Sequence, residues 1–433
     1  MSMSIHSRLR AVPVLVWMVL IALLLRMALI PFNRFLFEDL MDVNYIHCWE
    51  QGNVARALLA GHGFGSPLVS NQPSAIMSPV YPLIVAVFFH FFGIHTAQSI
   101  FAIHAFDSLV NSLACIPIFL VARRSFSPRV ALWAAWVWVF FPYGIYFSAA
   151  WAWSTHLLLL CLCWLFYLAQ DLERSSRLGL WAGFGALAGF AALTEPSILV
   201  VVSFLLVFAV YRLARAGRRW LLPGFMASLV LAVALSPWMI RNAMVFHRFI
   251  PMRDSMGLEL WVGNNGEDLR WTSDHKHPLH DATELAEYDA GELAYMDHKT
   301  QQAKAYIHDH PRWYAWMCVR RAVYLWTGYW SFDPRYLAME PTDPANIPFA
   351  TGLTLLALLG IILAFRSKPF EALRYSGVLF LFPLMYYFAH PEPYHLRPLD
   401  PLIVILGCYA ILTICGRVGE GTDDSTASDA RIV

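Results

Sequence analysis

The stretch Ala11-Val-Pro-Val-Leu-Val-Trp-Met-Val-Leu-Ile-Ala-Leu-Leu-Leu-Arg-Met-Ala-Leu-Ile30 decides the fold class. At about 1.5 Å of rise per residue, roughly 20 helical residues match a bilayer hydrocarbon core of about 30 Å. Arg26 is the only charge in the run. No small-residue cleavage site follows, so the run reads as a retained span and not as a signal peptide. The same character continues outward. Of the 433 residues 58% are hydrophobic and 14% charged, and mean hydropathy is +0.51, whereas soluble domains carry about 25% charged residues. An all-α polytopic membrane protein follows. The net charge of +1 gives no reason to expect nucleic acid as a partner. Five of the seven cysteines (Cys115, Cys161, Cys163, Cys408, Cys415) lie in apolar runs without CxxC spacing, which argues against redox or zinc roles.

Basic residues mark cytoplasmic loops, and they cluster at Arg8 and Arg10, Arg123 to Arg129, Arg174 to Arg177, Arg212 to Arg219, and Arg366 to Arg374. Between them the runs 97–122, 129–147, 155–171, 178–194, 196–211, 220–240, 347–365, 375–389 and 399–415 alternate across the bilayer. If Met77 to Gly93 also crossed, the alternation would break. Pro79 to Phe92, with Pro79 and Pro82, is therefore expected to lie in or dip into the outer interface, with a conventional extra span as the alternative. The expectation is about ten spans with both termini cytoplasmic, outer interfacial helices and a small extracytoplasmic cap. In domain terms this means an N-terminal membrane module (1–240) with its first outer loop (32–92), an extracytoplasmic region (241–346), C-terminal membrane helices (347–415), and a polar tail (416–433) with the composition of disorder.

Four segments then share the outer side: Phe32 to Phe92, Tyr143 to Thr155, Arg241 to about Asn346, and His390 to Pro398. In the third, Asp281-Ala-Thr-Glu284 reads as a capping box opening a helix through Leu285, Leu293 and Met296. Trp313 to Trp330, rich in Trp and Tyr, fits a helix at headgroup level.

The first outer loop holds Trp49-Glu-Gln-Gly-Asn-Val-Ala-Arg-Ala-Leu-Leu-Ala-Gly-His-Gly-Phe64. A helix from about Ile46 to Ala60 would place Glu50 just outside the first span. Glu50 and Arg56 sit roughly 120° apart around such a helix, so they do not form a simple i,i+4 pair. Glu50 could then accept a proton, or be a solvated interfacial glutamate. Glu38, Asp39 and Asp42 could bind a divalent cation or tune one another, or form a solvated face. No D-x-D motif occurs, and His275, His277 and His280 fit no standard zinc spacing. In His390-Pro-Glu-Pro-Tyr-His-Leu-Arg397, His395 and Arg397 reach the mouth of the last span. An arginine there can hold a phosphate with paired donors, or anchor the helix by snorkelling. Arg241 is a second outer-boundary arginine. Within the apolar runs, Asp107 is the strongest candidate for a buried polar site, with His104 one turn away as its expected partner.

These segments, in this order, resemble the GT-C superfamily of integral membrane glycosyltransferases, near the branch holding protein O-mannosyltransferases and the lipid A aminoarabinose transferase. The resemblance runs from the first span to Pro401. It rests on Glu50 with Val54-Ala-Arg-Ala-Leu-Leu-Ala-Gly-His-Gly-Phe64, Pro79-Val-Tyr-Pro-Leu83, Pro237-Trp-Met-Ile-Arg-Asn242, Leu258-Glu-Leu-Trp-Val-Gly-Asn-Asn265 and Arg397-Pro-Leu-Asp-Pro401. It implies transfer of a sugar from a polyprenyl-phosphate donor, with inversion, to an acceptor hydroxyl on a lipid, glycan or protein at the outer face. Glu50 would be the general base, and Arg397, Arg241 and His395 would hold the donor phosphate. Arg56, Asp39, Asp42, His156, Asn264 and Asn265 are further site candidates. Two departures stand out. Trp151-Ala-Trp-Ser-Thr-His156 lacks the acid that many relatives carry there, leaving Ser154 or His156 to serve. The Asp-Glu pair common in the first loop is reduced to Cys48-Trp49-Glu50, which argues against a metal or other cofactor. The resemblance implies an integral membrane protein with an extracytoplasmic site, and the short loops and compact outer domain suit a bacterial inner membrane. The competing readings are a transporter or flippase of a lipid-linked sugar, although no internal repeat is visible, and an inactive scaffold.

Overall fold

The computed structural model describes residues 5–32, 49–68, 72–266, 276–279, 281–334, 337 and 343–417. Glu38, Asp39, Asp42, His275 and His280 lie outside them, as does the Gly416 to Val433 tail beyond Arg417. The described residues form helices and no named strand. The first half comprises α1 (Ile5–Met27), α2 (Trp49–Leu59), α3 (Val80–Phe92), α4 (Ala97–Leu113), α5 (Cys115–Ser125), α6 (Pro128–Val139), α7 (Pro142–Ala150), α8 (Thr155–Leu172), α9 (Leu178–Thr194), α10 (Ile198–Arg215) and α11 (Leu221–Phe246). The second comprises α12 (Met256–Gly263), α13 (Ala282–Asp289), α14 (Glu292–Asp309), α15 (Pro311–Thr327), α16 (Asp343–Ser367), α17 (Pro369–Leu381), α18 (Leu384–Phe388), a 3-10 turn (Pro393–Leu399) and α19 (Asp400–Ile414).

Eight stretches of the described residues are long and apolar enough to cross a membrane: Val14–Phe32, Ala97–Ser125, Pro128–Ala150, Thr155–Leu172, Ile198–Arg215, Leu221–Phe246, Asp343–Ser367 and Tyr394–Ile414. These correspond to eight of the ten expected runs. The other two are shorter: α9 has 17 residues, and the run 375–389 is divided into α17 and α18 around Phe382 and Pro383, where proline lacks the N–H needed to continue a helix. α3 has 13 residues, or about 20 Å of helix, short of a hydrocarbon core of about 30 Å. It buries Tyr81, Val85 and Phe89 and exposes Leu83, Val87 and Phe91, as expected of a helix laid in an interface.

Close packing follows small residues. α9 carries Gly185-Ala-Leu-Ala-Gly189, and a Cβ on Gly185 would lie 2.3 Å from the Ala227 carbonyl oxygen of α11, one on Gly189 2.4 Å from Ala234 Cβ. This glycine spacing lets two backbones meet without an intervening side-chain layer. The opposite face of α11 exposes Phe225, Leu229, Val233 and Met244. The bundle interior is filled by Trp138, Trp181, Phe166, Phe184 and Tyr375, all essentially inaccessible.

A polar chain also runs through that interior. Arg26 donates from Nε to Asn111 Oδ1 at 2.9 Å and from its other nitrogens to the carbonyls of Ala22, Trp138 and Val139. Asn111 Nδ2 lies 3.1 Å from His156 Nδ1. Burying such groups is tolerable only because they find partners. Asp107 takes its hydrogen bond from Tyr81 of α3, at 2.7 Å, while His104 Nδ1 faces the Ser148 carbonyl. The partner expected from helical spacing is thus replaced by one from the neighbouring interfacial helix.

The cap is built on α2. Its Val54 packs with Ile76, Met77, Leu258, Val262, Tyr288, Tyr295 and Met296, and its Ala55 with Tyr81, Val85, Phe89, Ile103 and Ala152. One face of α2 therefore binds α12 to α14 and the other binds α3 and α4. Asp281 caps α13, its Oδ1 accepting from the N–H groups of Thr283 and Glu284. The helix expected to continue to Met296 stops instead at Ala290 and restarts at Glu292 as α14.

Candidate active site

Glu50 opens α2, held between the cap and the interfacial helix. Gly52 fixes the approach: a Cβ there would lie 2.7 Å from His95 Cε1, so the first turn of α2 rests on the ring that follows α3. The loop between α2 and α3 returns through two short backbone bonds, Ser66 N to the Gln72 carbonyl at 2.7 Å and Ser74 N to the Phe64 carbonyl at 3.0 Å. Arg241 locks both sides of this loop, donating to the Phe64 carbonyl at 2.9 Å and the Ser74 carbonyl at 2.8 Å, with its guanidinium over Trp238. Glu292 accepts from Ala75 N at 2.8 Å, and Asp254 N donates to the Ala75 carbonyl at 3.0 Å. Backbone polar groups of this loop are thus satisfied by the cap, which fixes the path of the chain after α2.

The charges acting on Glu50 come from Arg253, Glu259 and Glu195. Arg253 anchors itself through Nε to the Ile76 carbonyl at 2.5 Å and reaches both oxygens of Glu195 at 3.3 and 3.2 Å. His390 links Glu259, 3.7 Å from Nδ1, to Glu392, 3.2 Å from Nε2. Glu392 N donates to His395 Nδ1 at 2.9 Å, and the His395 ring stacks on Tyr386 with centroids 4.0 Å apart. Tyr394 lies within electrostatic range of Glu50 and beside Trp153, at 5.4 Å between ring centroids. All four outer segments expected to converge contribute: the first loop through Glu50 and Ile76, the second through Trp153, the third through Arg253 and Glu259, the fourth through His390 and Tyr394.

Burial raises the Glu50 carboxyl to about 8; Arg253 opposes the rise and Glu259 and Glu195 add to it. Glu50, Glu195, Arg253 and Glu259 each keep partial exposure, so the cluster remains accessible. Burial also raises the Glu195 carboxyl, against the pull of Arg253. Glu259 behaves in the opposite way. Burial works against its ionisation, yet His390 and Arg253 hold it below the usual carboxylate range. Two carboxyls with opposite shifts side by side are an arrangement suited to acid and base roles.

Arg397 sits on the 3-10 turn, two residues beyond His395 and nearly buried. Its guanidinium lies 3.8 Å over the Tyr143 ring and 3.5 Å from Asp400, and its Nε has no hydrogen-bond partner. The remaining candidates fall elsewhere. Arg56 is exposed. His156 lies in the bundle beside Asn111. Asn264 joins the backbone of Leu260 and Phe388 to Arg321, which also binds the Gly263 carbonyl; Asn265 bonds back to the Val262 carbonyl. Arg241 is engaged with the loop between α2 and α3. Among the described residues no group of three or more His, Cys, Asp or Glu is placed to hold a metal ion.

Sequence reasoning missed Arg253, Glu195 and His390 as site residues. Glu195, at the outer end of an apolar run before Pro196, was the available signal, and Glu259 lay inside the quoted Leu258–Asn265 motif.

Residues 72–240 match the family model of Dolichyl-phosphate-mannose-protein mannosyltransferase; this region takes in α3 to α10 and most of α11, and lies C-terminal to Glu50. No curated protein sequence matches. Among solved structures, the apo oligosaccharyltransferase of Archaeoglobus fulgidus superposes with a TM-score of 0.55 at 11% identity, covering 97% of this chain and 52% of that one. Its complex with zinc and sulfate gives 0.54 at 11%, covering 93% and 50%. The chain spans about half the length of these archaeal proteins. ArnT from Cupriavidus metallidurans in the apo state covers 93% of this chain and 78% of its own at 15% identity, with a TM-score of 0.39, too low to bear on the fold. The chain thus shares its fold with the archaeal oligosaccharyltransferase, and residues 72–240 share a family model with the protein mannosyltransferases.

Proposed function

We propose that the chain transfers a sugar from a polyprenyl-phosphate-linked donor to an acceptor hydroxyl, at the end of the bundle where Glu50 lies, and that this end faces the extracytoplasmic side of a bacterial inner membrane. The observation that carries the reading is Glu50 itself, a carboxyl on a clamped helix at the meeting point of four loop segments, raised to about 8 beside Arg253. A base is most effective when it titrates near the operating pH. Glu50 takes the acceptor proton as the hydroxyl oxygen attacks the anomeric carbon. The bond from that carbon to the phosphate oxygen breaks on the opposite face, its electron pair leaves with the phosphate, and configuration inverts.

Arg397 suits the departing phosphate. Stacking on Tyr143 and the contact with Asp400 preorganise its guanidinium, and the unpartnered Nε leaves a donor to offer. His395 is held on the same turn. Arg241 is proposed as a clamp on the first outer loop, acting on the site through the position of α2. The donor class is supported by the family model matched over residues 72–240, whose name specifies a dolichyl-phosphate-linked mannose, and by the resemblance of the motifs. No metal or cofactor is assigned a role.

The test is a panel of polyprenyl-phosphate sugars supplied to the purified full chain in lipid, with product and free polyprenyl phosphate quantified together. Equimolar release and transfer support the reading. Movement of the donor across the bilayer without release of polyprenyl phosphate would favour a flippase instead.

A further inference from the structure

At the other end of the bundle the helices border a concavity. α8 begins beside Trp153 and α10 just after Glu195, so their far ends lie about 27 Å from the Glu50 cluster. There Glu173, Arg174, Arg212, Arg215, Arg218 and Phe370 line a cavity of about 410 Å³. Four arginines share its wall with a single carboxylate, a formal excess of three positive charges.

The carboxylates at this end are already committed. Glu173 binds Arg374, from whose Nε it accepts at 2.8 Å, and Arg212 at 3.4 Å. Glu371 pairs with the same Arg374, and Asp171 pairs with Arg124 at 2.9 Å. Among the described residues, Arg174, Arg215 and Arg218 have no carboxylate partner. Arg215 Nη1 meets only the Tyr211 hydroxyl, at 3.2 Å, and Arg218 Nη1 the Arg174 carbonyl. Arg212 is fixed by Phe370, with its guanidinium 3.7 Å over the ring. The turn that brings Arg215 and Arg218 to one wall runs through Gly217, whose φ of 68° favours glycine.

Basic residues that only set topology need no shared concavity and no apolar wall. Here a fixed guanidinium, three arginines without carboxylate partners and the Phe370 ring surround one space at the ends of apolar helices. Arginine forks match phosphate oxygens, and basic pockets between membrane helices suit anionic headgroups. We propose that this cavity is a binding site for a phosphate group, supplied by the headgroup of an anionic phospholipid, separate from the proposed transfer site and independent of that reading.

The experiment is native mass spectrometry of the full chain released from nanodiscs of phosphatidylglycerol and phosphatidylcholine, with and without millimolar inorganic phosphate. Wild type should retain a phosphatidylglycerol, and Arg215→Gln/Arg218→Gln should bind it roughly 10- to 30-fold more weakly. Both side chains are exposed, so folding should survive. Arg366→Gln, which removes one exposed charge outside the cavity, is the control and should retain the lipid. Retention that resists inorganic phosphate assigns the headgroup as source. Displacement by inorganic phosphate keeps the phosphate site but transfers it to a soluble anion. Equal retention by wild type and the double variant, or equal loss in Arg366→Gln, overturns the proposal.

Discussion

Replacing Arg253 by Gln should move the alkaline requirement of the transfer reaction upward. With Glu50 titrating at about 8, about a tenth of the molecules hold it as the base at pH 7. Arg253 is the cation that favours the ionised form. Removing it takes away a stabilising charge, so the carboxyl titrates higher, by on the order of one pH unit for a close opposite charge. The base form at pH 7 then falls to about a hundredth, and the rate by up to about 10-fold. Glu195 limits the effect. Left buried without the guanidinium that reaches both its oxygens, it tends to take up a proton, which removes a repulsive charge from Glu50. A decrease of about 3- to 10-fold at pH 7 is therefore expected, recovering as pH rises. Glu195→Gln should act with the opposite sign, since it deletes a like charge and leaves Arg253 free to act on Glu50, so the rising limb moves to lower pH. The assay is kcat/KM for sugar transfer across pH 6 to 10 in wild type and both variants. Limbs that do not move, or that move together in one direction, would refute the assignment of Glu50 as the titrating group controlled by this pair.

Other substitutions test the scaffold. Gly185→Val would drive its side chain into the Ala227 carbonyl and should cost about 1 to 3 kcal/mol, read as a lower thermal midpoint in detergent, while Gly183→Ala, which meets nothing within 4 Å, should be silent. Tyr81→Phe removes the hydroxyl that donates to Asp107, whose other oxygen already lacks a partner; a loss of about 1 to 3 kcal/mol is expected, again as a lower midpoint, with α3 loosened in hydrogen exchange. If no metal takes part, transfer should survive EDTA, and a loss restored by a divalent cation would bring the carboxylates of the first outer loop into the mechanism.

Most of the bundle was legible because crossing a bilayer imposes length and apolarity that the residues show directly. α3 was readable as a short helix set apart from the long runs, from Pro79 and Pro82 and from the alternation of basic loops. The split near Pro383 and the break at Gly291 were harder to see, since continuous apolar or polar patterning runs through both. The site was half legible. Glu50 was visible as a lone carboxyl on a short helix, but Arg253 and Glu195 are 58 residues apart and share no periodicity. In sequence Arg241 stands out, placed just beyond the apolar run 220–240, whereas Arg253 follows only the short Phe249-Ile-Pro-Met252 stretch. Which of them approaches Glu50 depends on the path of residues 64–77, where Arg241 takes the Phe64 and Ser74 carbonyls and Arg253 the Ile76 carbonyl. Three-dimensional loop closure decides that, and it leaves no local signature.

The central claim is that Glu50 removes the acceptor proton. Its most direct test is sugar transfer by purified wild type and Glu50→Gln in lipid, with donor binding measured on the same samples. Glutamine keeps the shape and removes the base, so the account predicts that donor affinity stays within a few-fold while transfer falls by at least about 100-fold. Transfer by Glu50→Gln at the wild-type rate would contradict it.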